Sequence, residues 1–311
     1  MLQFGWRVPD FPVDGSDTLA FRDQIFSYMD ALQGGLDSAW VADHFVPWMG
    51  SWDQTADTFE CLTTLTYLCA RYPAFKFGTI VLSQSYRPPA LLAKMAAVLQ
   101  TLSGGRFILG IGAGWKEDEY RAYGYDYPAP AVRIHQLEEA VQIIRGMFTQ
   151  PKTTFHGKYY HVEDAICEPK PVPAPPIMIG GSGRRLTLRV VARYADWWNS
   201  VGTSPEEMNA AIEALNGHCQ AVGRDPASIV RTFSTDCVSV AGSTAEALRR
   251  AQASPFYSAS AGLIGTPDEV AAGLQRYIDL GTQHFMLRFV DYPDFAGARL
   301  FIEEVLPRFR A

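Results

Sequence analysis

The chain has 311 residues, 48% of them hydrophobic and 19% charged, and a formal net charge of -6. That is enough to bury a large core, at a length typical of one α/β barrel or two modest domains. The acidic balance argues against nucleic acid or an anionic membrane surface as the main partner, so any anionic ligand must be held by local donors.

In chain order, the N-terminal "MLQFGWRVPDFPVDGSD" lacks a basic segment followed by an apolar run and reads as a mature start. Short apolar runs then recur at 2–6, 38–43, 75–83, 106–112, 176–181, 196–202, 230–240 and 284–290. Helical patterns lie between and after them at 18–34, 55–72, 88–103, 131–149, 184–194, 205–222, 243–252, 267–280 and 294–308. Eight strands alternating with helices imply parallel pairing with right-handed crossovers, and a closed (β/α)8 TIM barrel suits that count better than an open sheet. The proline-rich stretch 149–176 breaks the alternation. It contains "TTFHGKYYHV", a short hairpin, and is too small for a domain of its own, so 1–311 reads as one barrel domain with an insertion before the fifth strand. A second long loop is expected at 253–267, after the seventh strand, where barrel lids are common.

Two helices carry explicit end signals. Thr266 caps and Pro267 opens the helix that stops at Gly281, and Ser204, Pro205 and Gly223 repeat the device. The five cysteines are odd in number and widely spaced with no CxxC pair, which suggests a reduced cytoplasmic protein. Cys61 and Cys69 read as small core residues in a helix. No run of about 18 apolar residues occurs, so no transmembrane helix is expected.

The chemistry of such a barrel belongs at the carboxyl ends of its strands. Asp43-His44 ends the second strand in "SAWVADHFVPW", Ser83 falls near the end of the third, Gly112 to Trp115 follow the fourth, and Gly180 to Gly183 follow the fifth. His44, after an acid and beside Trp48, is an acid–base candidate, although a lone histidine is more often structural. "GGSGRR" runs from a strand into a helix expected to begin near Arg184. It reads either as a glycine-rich turn or as a phosphate cradle of Gly180, Gly181, Ser182, Gly183 and Arg184. "GIGAG" (110–114) is not a dinucleotide fingerprint, because Trp115 stands where the last glycine is needed; it marks close backbone approach instead. His156 and His161 flank the hairpin turn with no further ligand nearby, so no metal site is expected. The absence of a GxSxG elbow or Walker motif removes the usual support for hydrolase and NTPase readings.

Several ordered blocks together resemble the luciferase-like superfamily of flavin- and deazaflavin-dependent oxidoreductases: "WVADHFVPW", the long run from "FGTIVLSQSYRPP" to "GIGAGWKEDEYRAYG", "RIHQLEEAVQIIRGMF", "PPIMIGGSGRRLTLRVVARYADWWN" and "GTPDEVAAGLQRYIDLG". The set looks most like the branch that uses coenzyme F420, an 8-hydroxy-5-deazaflavin. The resemblance implies a TIM barrel with an insertion before the fifth strand, a homodimer, and Asp43, His44 and Trp48 beside the reactive carbon of the ring. It implies a non-prolyl cis peptide at Ile80–Val81 behind the ring and Ser83 near the ring's polar edge. Gly112, Ala113, Gly114 and Trp115 would border the cofactor, and the GGSG amides would hold its phosphate.

One position departs from the pattern. Sugar-phosphate and alcohol dehydrogenases of this branch carry a glutamate after the GxGxG run, where this chain has Trp115. A Trp exchanges no proton at neutral pH. Glu117, Asp118 or Glu119 is left to supply a carboxylate, each pointing differently from a helix. The expectation is an F420-dependent oxidoreductase moving hydride to or from a small organic substrate, with His44 exchanging the proton under tuning by Asp43. Trp48 and Trp115, with Trp6 or Trp40, would supply apolar walls. The alternatives are a two-component FMN monooxygenase fed by a separate reductase, and a non-catalytic flavin-binding barrel.

Overall fold

The computed structural model describes residues 2–49 and 52–310. Twelve strands occur among them: β1 (Gln3–Arg7), β2 (Ser38–Val41), β3 (Lys76–Thr79), β4 (Leu82–Ser83), β5 (Phe107–Gly112), β6 (Thr153–His156), β7 (His161–Ala165), β8 (Ile177–Gly180), β9 (Trp197–Val201), β10 (Val230–Val240), β11 (Leu263–Gly265) and β12 (Thr282–Phe289). Eight of these, β1, β2, β3, β5, β8, β9, β10 and β12, pair in parallel in that order, and β12 returns to β1. The barrel is closed, as the alternation of the sequence implies.

The helices α1 (Thr18–Leu32), α2 (Cys61–Arg71), α3 (Pro89–Leu102), α4 (Glu117–Ala122), α5 (Pro130–Thr149), α6 (Thr187–Tyr194), α7 (Pro205–Ala221), α8 (Thr244–Ala253), α9 (Pro267–Asp279) and α10 (Ala296–Leu300) form the outer layer and its connections. α1 shows the logic. Asp17 accepts from the amides of Leu19 and Ala20 to cap it, while Phe21, Ile25, Tyr28, Met29 and Leu32 recur on one face and are buried. Each such side chain contributes roughly 1.5–3 kcal/mol by leaving water. α7 and α9 open with complete capping boxes, Ser204 with Glu207 and Thr266 with Glu269. Gly223 and Gly281 follow those helices with φ of +68° and +84°.

Several boundaries differ from expectation. The run 75–83 is two strands, interrupted at a cis Ile80–Val81 peptide. Residues 55–60 are not helical, because Glu60 caps α2 at Cys61 with its own carboxylate. The GGSG segment does not lead directly into a helix: 184–186 form a turn and α6 opens at Thr187. α4 is an extra short helix, and the C-terminal run changes pitch through a π turn at Phe301–Val305. The insertion is the antiparallel β6–β7 hairpin, its turn tied to α5 where Glu139 accepts from the amides of Lys158, Tyr159 and Tyr160 at 2.8, 2.9 and 3.0 Å. The loop at 253–267 contains β11, which adds to the side of β10 outside the closed ring.

The barrel floor is organised around Trp40, which is fully buried. A methyl group on Gly5 would come within 2.6 Å of its indole nitrogen, and one on Gly78 would run into its ring, so both neighbouring strands must carry glycine there. Its indole N–H donates to Ser38 Oγ at 2.8 Å, and Ser38 Oγ meets His284 Nε2 at 2.8 Å. Burial, with a smaller contribution from Lys76, holds the His284 imidazole down at about 3.

This has a consequence for acid stability. The native protein keeps His284 neutral where the unfolded chain, at an ordinary 6.5, takes up a proton. Stability is therefore lost as pH falls from 6.5 toward 3, at about 1.4 kcal/mol per pH unit from this one group. His284→Gln should be less stable at pH 7.5 yet show a shallower loss between pH 6.5 and 5. Urea midpoints at the three pH values measure it, and equal slopes in the two proteins would refute the assignment.

Candidate active site

The carboxyl ends of the strands surround a cavity of about 470 Å³. His44 stands three residues beyond the end of β2 and presents its ring to that cavity. Its Nδ1 lies 3.0 Å from Glu119 Oε2, a carboxylate with no solvent exposure. The other Glu119 oxygen accepts from the amides of Phe45 and Val46 at 2.9 and 3.2 Å, and the Tyr86 hydroxyl donates to Oε2 at 3.2 Å. A carboxylate offers only acceptors, so Nδ1 carries the proton and Nε2 is the nitrogen left for the cavity. Burial, with the adjacent Glu119 charge next, pushes the Tyr86 phenol far above its ordinary value, so it stays a donor.

Asp43 is engaged elsewhere. Its oxygens accept a two-pronged contact from Arg87, 3.0 Å at each nitrogen, and the amide of Ser83 at 2.9 Å. Burial works against the Arg87 charge, but the contacts with Asp43 and Glu60 act the other way and the pKa is raised on balance. Arg87 also reaches Glu60 at 2.5 Å, so Asp43, Arg87 and Glu60 clamp the ends of β2 and β4 to the start of α2. The expected tuning of His44 by Asp43 is thus corrected: the partner is Glu119, and Asp43 holds the backbone at Ser83.

Between these groups, the Val81 side chain projects from the cis peptide against two facing glycines. A methyl group on Gly112 would lie 2.8 Å from Val81 Cγ2, and one on Gly180 would lie 3.0 Å from both Val81 methyls. Gly114, at φ +76°, has no room for a side chain because the Tyr120 hydroxyl occupies that space. Tyr120 in turn meets Ser83 Oγ at 2.5 Å. Trp48 and Trp115 flank His44, with ring centres 6.2 and 5.7 Å away.

The chain has relatives. A family model described as luciferase-like monooxygenase matches residues 3–261. The chain belongs to the luciferase-like monooxygenase family. It is 30% identical to an F420-dependent glucose-6-phosphate dehydrogenase of Kineococcus radiotolerans, over 91% of each protein. It is 33% identical to an FMNH2-dependent dimethylsulfone monooxygenase of Pseudomonas putida, over 46% of this chain and 41% of that one. Among solved structures, an F420-dependent secondary alcohol dehydrogenase in complex with an F420–acetone adduct superposes with a TM-score of 0.81 at 20% identity, covering 98% of both chains. The last likeness is one of fold.

Within this luciferase-like barrel, twelve of the expected site residues line one cavity. Asp43, His44, Trp48, Ile80, Val81 and Ser83 come from the β2 and β3–β4 ends, and Gly112, Ala113, Gly114, Trp115, Gly180 and Gly181 from the β5 and β8 ends. Ser182, Gly183 and Arg184 do not line it; Gly183 and Arg184 are exposed. The Gly181 amide is already donated to Asn199 O at 3.1 Å, so it is not a free phosphate donor. Trp6 and Trp40 are not walls of this cavity: Trp6 stacks on Tyr28 of α1 at 4.7 Å, and Trp40 fills the barrel floor.

Sequence reasoning did not single out Arg7, Tyr86, Arg133, Thr187 or Asp236, all of which line the cavity. Glu119 stood as one of three candidate acids. The sequence holds no signal that separates it, and the structure does so: Glu117 and Asp118 face solvent and pair with Arg121 and Lys116, while Glu119 shares the inner side of α4 with buried Tyr120.

The tautomer is directly testable. In the neutral protein, 15N NMR of labelled His44 should report the proton on Nδ1, and Glu119→Gln, whose amide can donate to Nδ1, should move it to Nε2. An Nε2-protonated imidazole in the wild type would contradict the geometry.

Proposed function

We propose that this barrel is an F420-dependent oxidoreductase that moves a hydride between the deazaflavin and a small organic substrate. The observation carrying this reading is the His44–Glu119 pair, its carboxylate fully buried, open at Nε2 to a cavity that is also lined by the Val81 side chain set between Gly112 and Gly180.

The residues suit a planar, anionic cofactor. The close approach of Val81 to two glycines makes a flat apolar backing, and the cavity has donors to spare. Arg133, stacked 3.9 Å over Tyr127, has no carboxylate partner among the described residues. Thr187, the first residue of α6, faces the cavity, and the amides of Ser182 and Gly183, which follow the lining residue Gly181 in the chain without lining the cavity themselves, meet no backbone acceptor. These groups, rather than Gly181 and Arg184, would hold the phosphate and acidic tail. When bound, the deazaflavin supplies the hydride chemistry. His44 Nε2 takes or gives the proton coupled to it, and Glu119 fixes the ring and stabilises the imidazolium that proton uptake creates. Trp48 and Trp115 keep water from the reacting carbon. Trp115 leaves no second acid at the usual place, and Glu119, on the far side of the imidazole, does not replace it. His44 is the proton carrier.

The likeness to the Pseudomonas putida monooxygenase supports a second reading, a monooxygenase using reduced FMN supplied by a partner reductase. Titrating the purified protein with F420 and with FMNH2 separates the two. Micromolar F420 binding with turnover independent of oxygen is expected; tight FMNH2 binding with oxygen consumption would replace the first reading by the second. His44→Ala should lower turnover by about 10²–10⁴-fold, the usual worth of a general acid–base group, while cofactor affinity changes little. A barrel that merely carries the cofactor would lose nothing in that variant.

A further inference from the structure

Across the cavity from Gly180 lies an ionic array that the mechanism above does not use. Arg7 ends β1, and Asp236 stands where the β10–β12 register shifts between Thr235 and Val238, a bulge that turns its side chain toward the cavity. Arg7 Nη1 donates to Asp236 Oδ2 at 2.6 Å, and Arg288 Nε stands 2.9 Å from Asp236 Oδ1 in poor alignment. Behind them Asp10 lies 3.8 Å from Arg288, whose guanidinium is covered by the Phe256 ring at 4.5 Å. Exposure falls steeply through the array. The Asp236 side chain is 21% exposed and Arg7 7%, whereas Arg288 and Asp10 are enclosed.

Two guanidinium groups and two carboxylates leave no net charge, and the member most open to a ligand is the acid. An entering phosphate or carboxylate would meet Asp236 first and be repelled. Lys116, the other lysine or arginine lining the cavity with an acid partner, is held by Asp118. Arg133, without an acid partner, sits with Pro130 and Ile134 at the start of α5, where the cofactor's anionic part is placed above. An apolar group would strip water from Asp236 and return nothing. A hydroxyl satisfies both partners, donating to the carboxylate and accepting from the guanidinium.

We propose that Arg7 and Asp236 form a hydroxyl-recognising pair that selects a neutral, hydroxyl-bearing substrate over a phosphorylated or purely apolar one. Arg288 is a positioning residue that holds Asp236 from behind. The inference rests on the cavity being the reaction site, as proposed above.

Three probes with one ring test it on the protein without added cofactor, by saturation-transfer NMR: 1,2-cyclohexanediol, cyclohexyl phosphate and methylcyclohexane. The diol should bind at millimolar concentration and the other two at least tenfold more weakly. Asp236→Asn should weaken the diol by about 10-fold or more, the worth of a hydrogen bond to a charged group, and should admit cyclohexyl phosphate. The wild-type ranking needs no variant, so it stands even if Asp236→Asn fails to fold. Preference for the phosphate, no binding of the diol, or a diol affinity unchanged in Asp236→Asn would each overturn the proposal. F420 titration of the same preparation keeps the two readings apart. Cofactor binding without diol discrimination sinks this inference alone, and diol discrimination without cofactor binding sinks only the deazaflavin reading.

Discussion

A single buried carboxylate holds the upper face of this barrel together. Glu119 has no access to water and gathers the amides of Phe45 and Val46, the His44 imidazole and the Tyr86 hydroxyl. A charge in such a place is tolerable only when its acceptors are filled, and these four donors come from the loops after β2 and β4. The same bonds that make the charge bearable therefore fix where both loops run. They also orient the one ring nitrogen left facing the cavity, so the course of the loops and the proposed proton carrier depend on the same contact.

The second support is steric. Val81 enters the space between β5 and β8 only because Gly112 and Gly180 offer no side chains, and Asp43, clamped by Arg87, secures the backbone just beyond it at Ser83. One side of the cavity is thus a rigid apolar surface, and the opposite side is the compensated Arg7–Asp236–Arg288 array under Phe256. On the proposed reading, a flat ring and a polar reactant would be served by different walls. His44 lies between them, flanked by Trp48 and Trp115, where the two ligands would meet.

Much of this was legible before the fold was known. The strand ends at Asp43-His44, Gly112 and Gly180 stand out as abrupt changes from apolar to polar or glycine, because barrel strands are buried along their length and emerge only at the mouth. The helix starts at Ser204 and Thr266 are equally plain, since capping is a local hydrogen-bonding matter within four residues. α4 was not legible: six residues with three acids carry too little periodicity to mark an inward face. Nor was the true start of α6, because a glycine-rich turn followed by two arginines reads as a helix entry whether or not the helix begins there.

The sequence by itself determined the order of strands and helices, the closed barrel they imply, the cluster of residues at the strand ends and the likeness that places the chain in its family. The elements and the barrel follow from local periodicity and end signals, which act between residues near one another in the chain, and the likeness from ordered blocks of residue identity. Only the tertiary structure decided that His44 is served by Glu119 rather than by its neighbour Asp43, that Gly181 spends its amide on Asn199, and that Arg7, Asp236 and Arg288 form one array. Those pairings join groups 18 to more than 200 positions apart, and no local pattern records which partner a buried charge will find once the barrel closes.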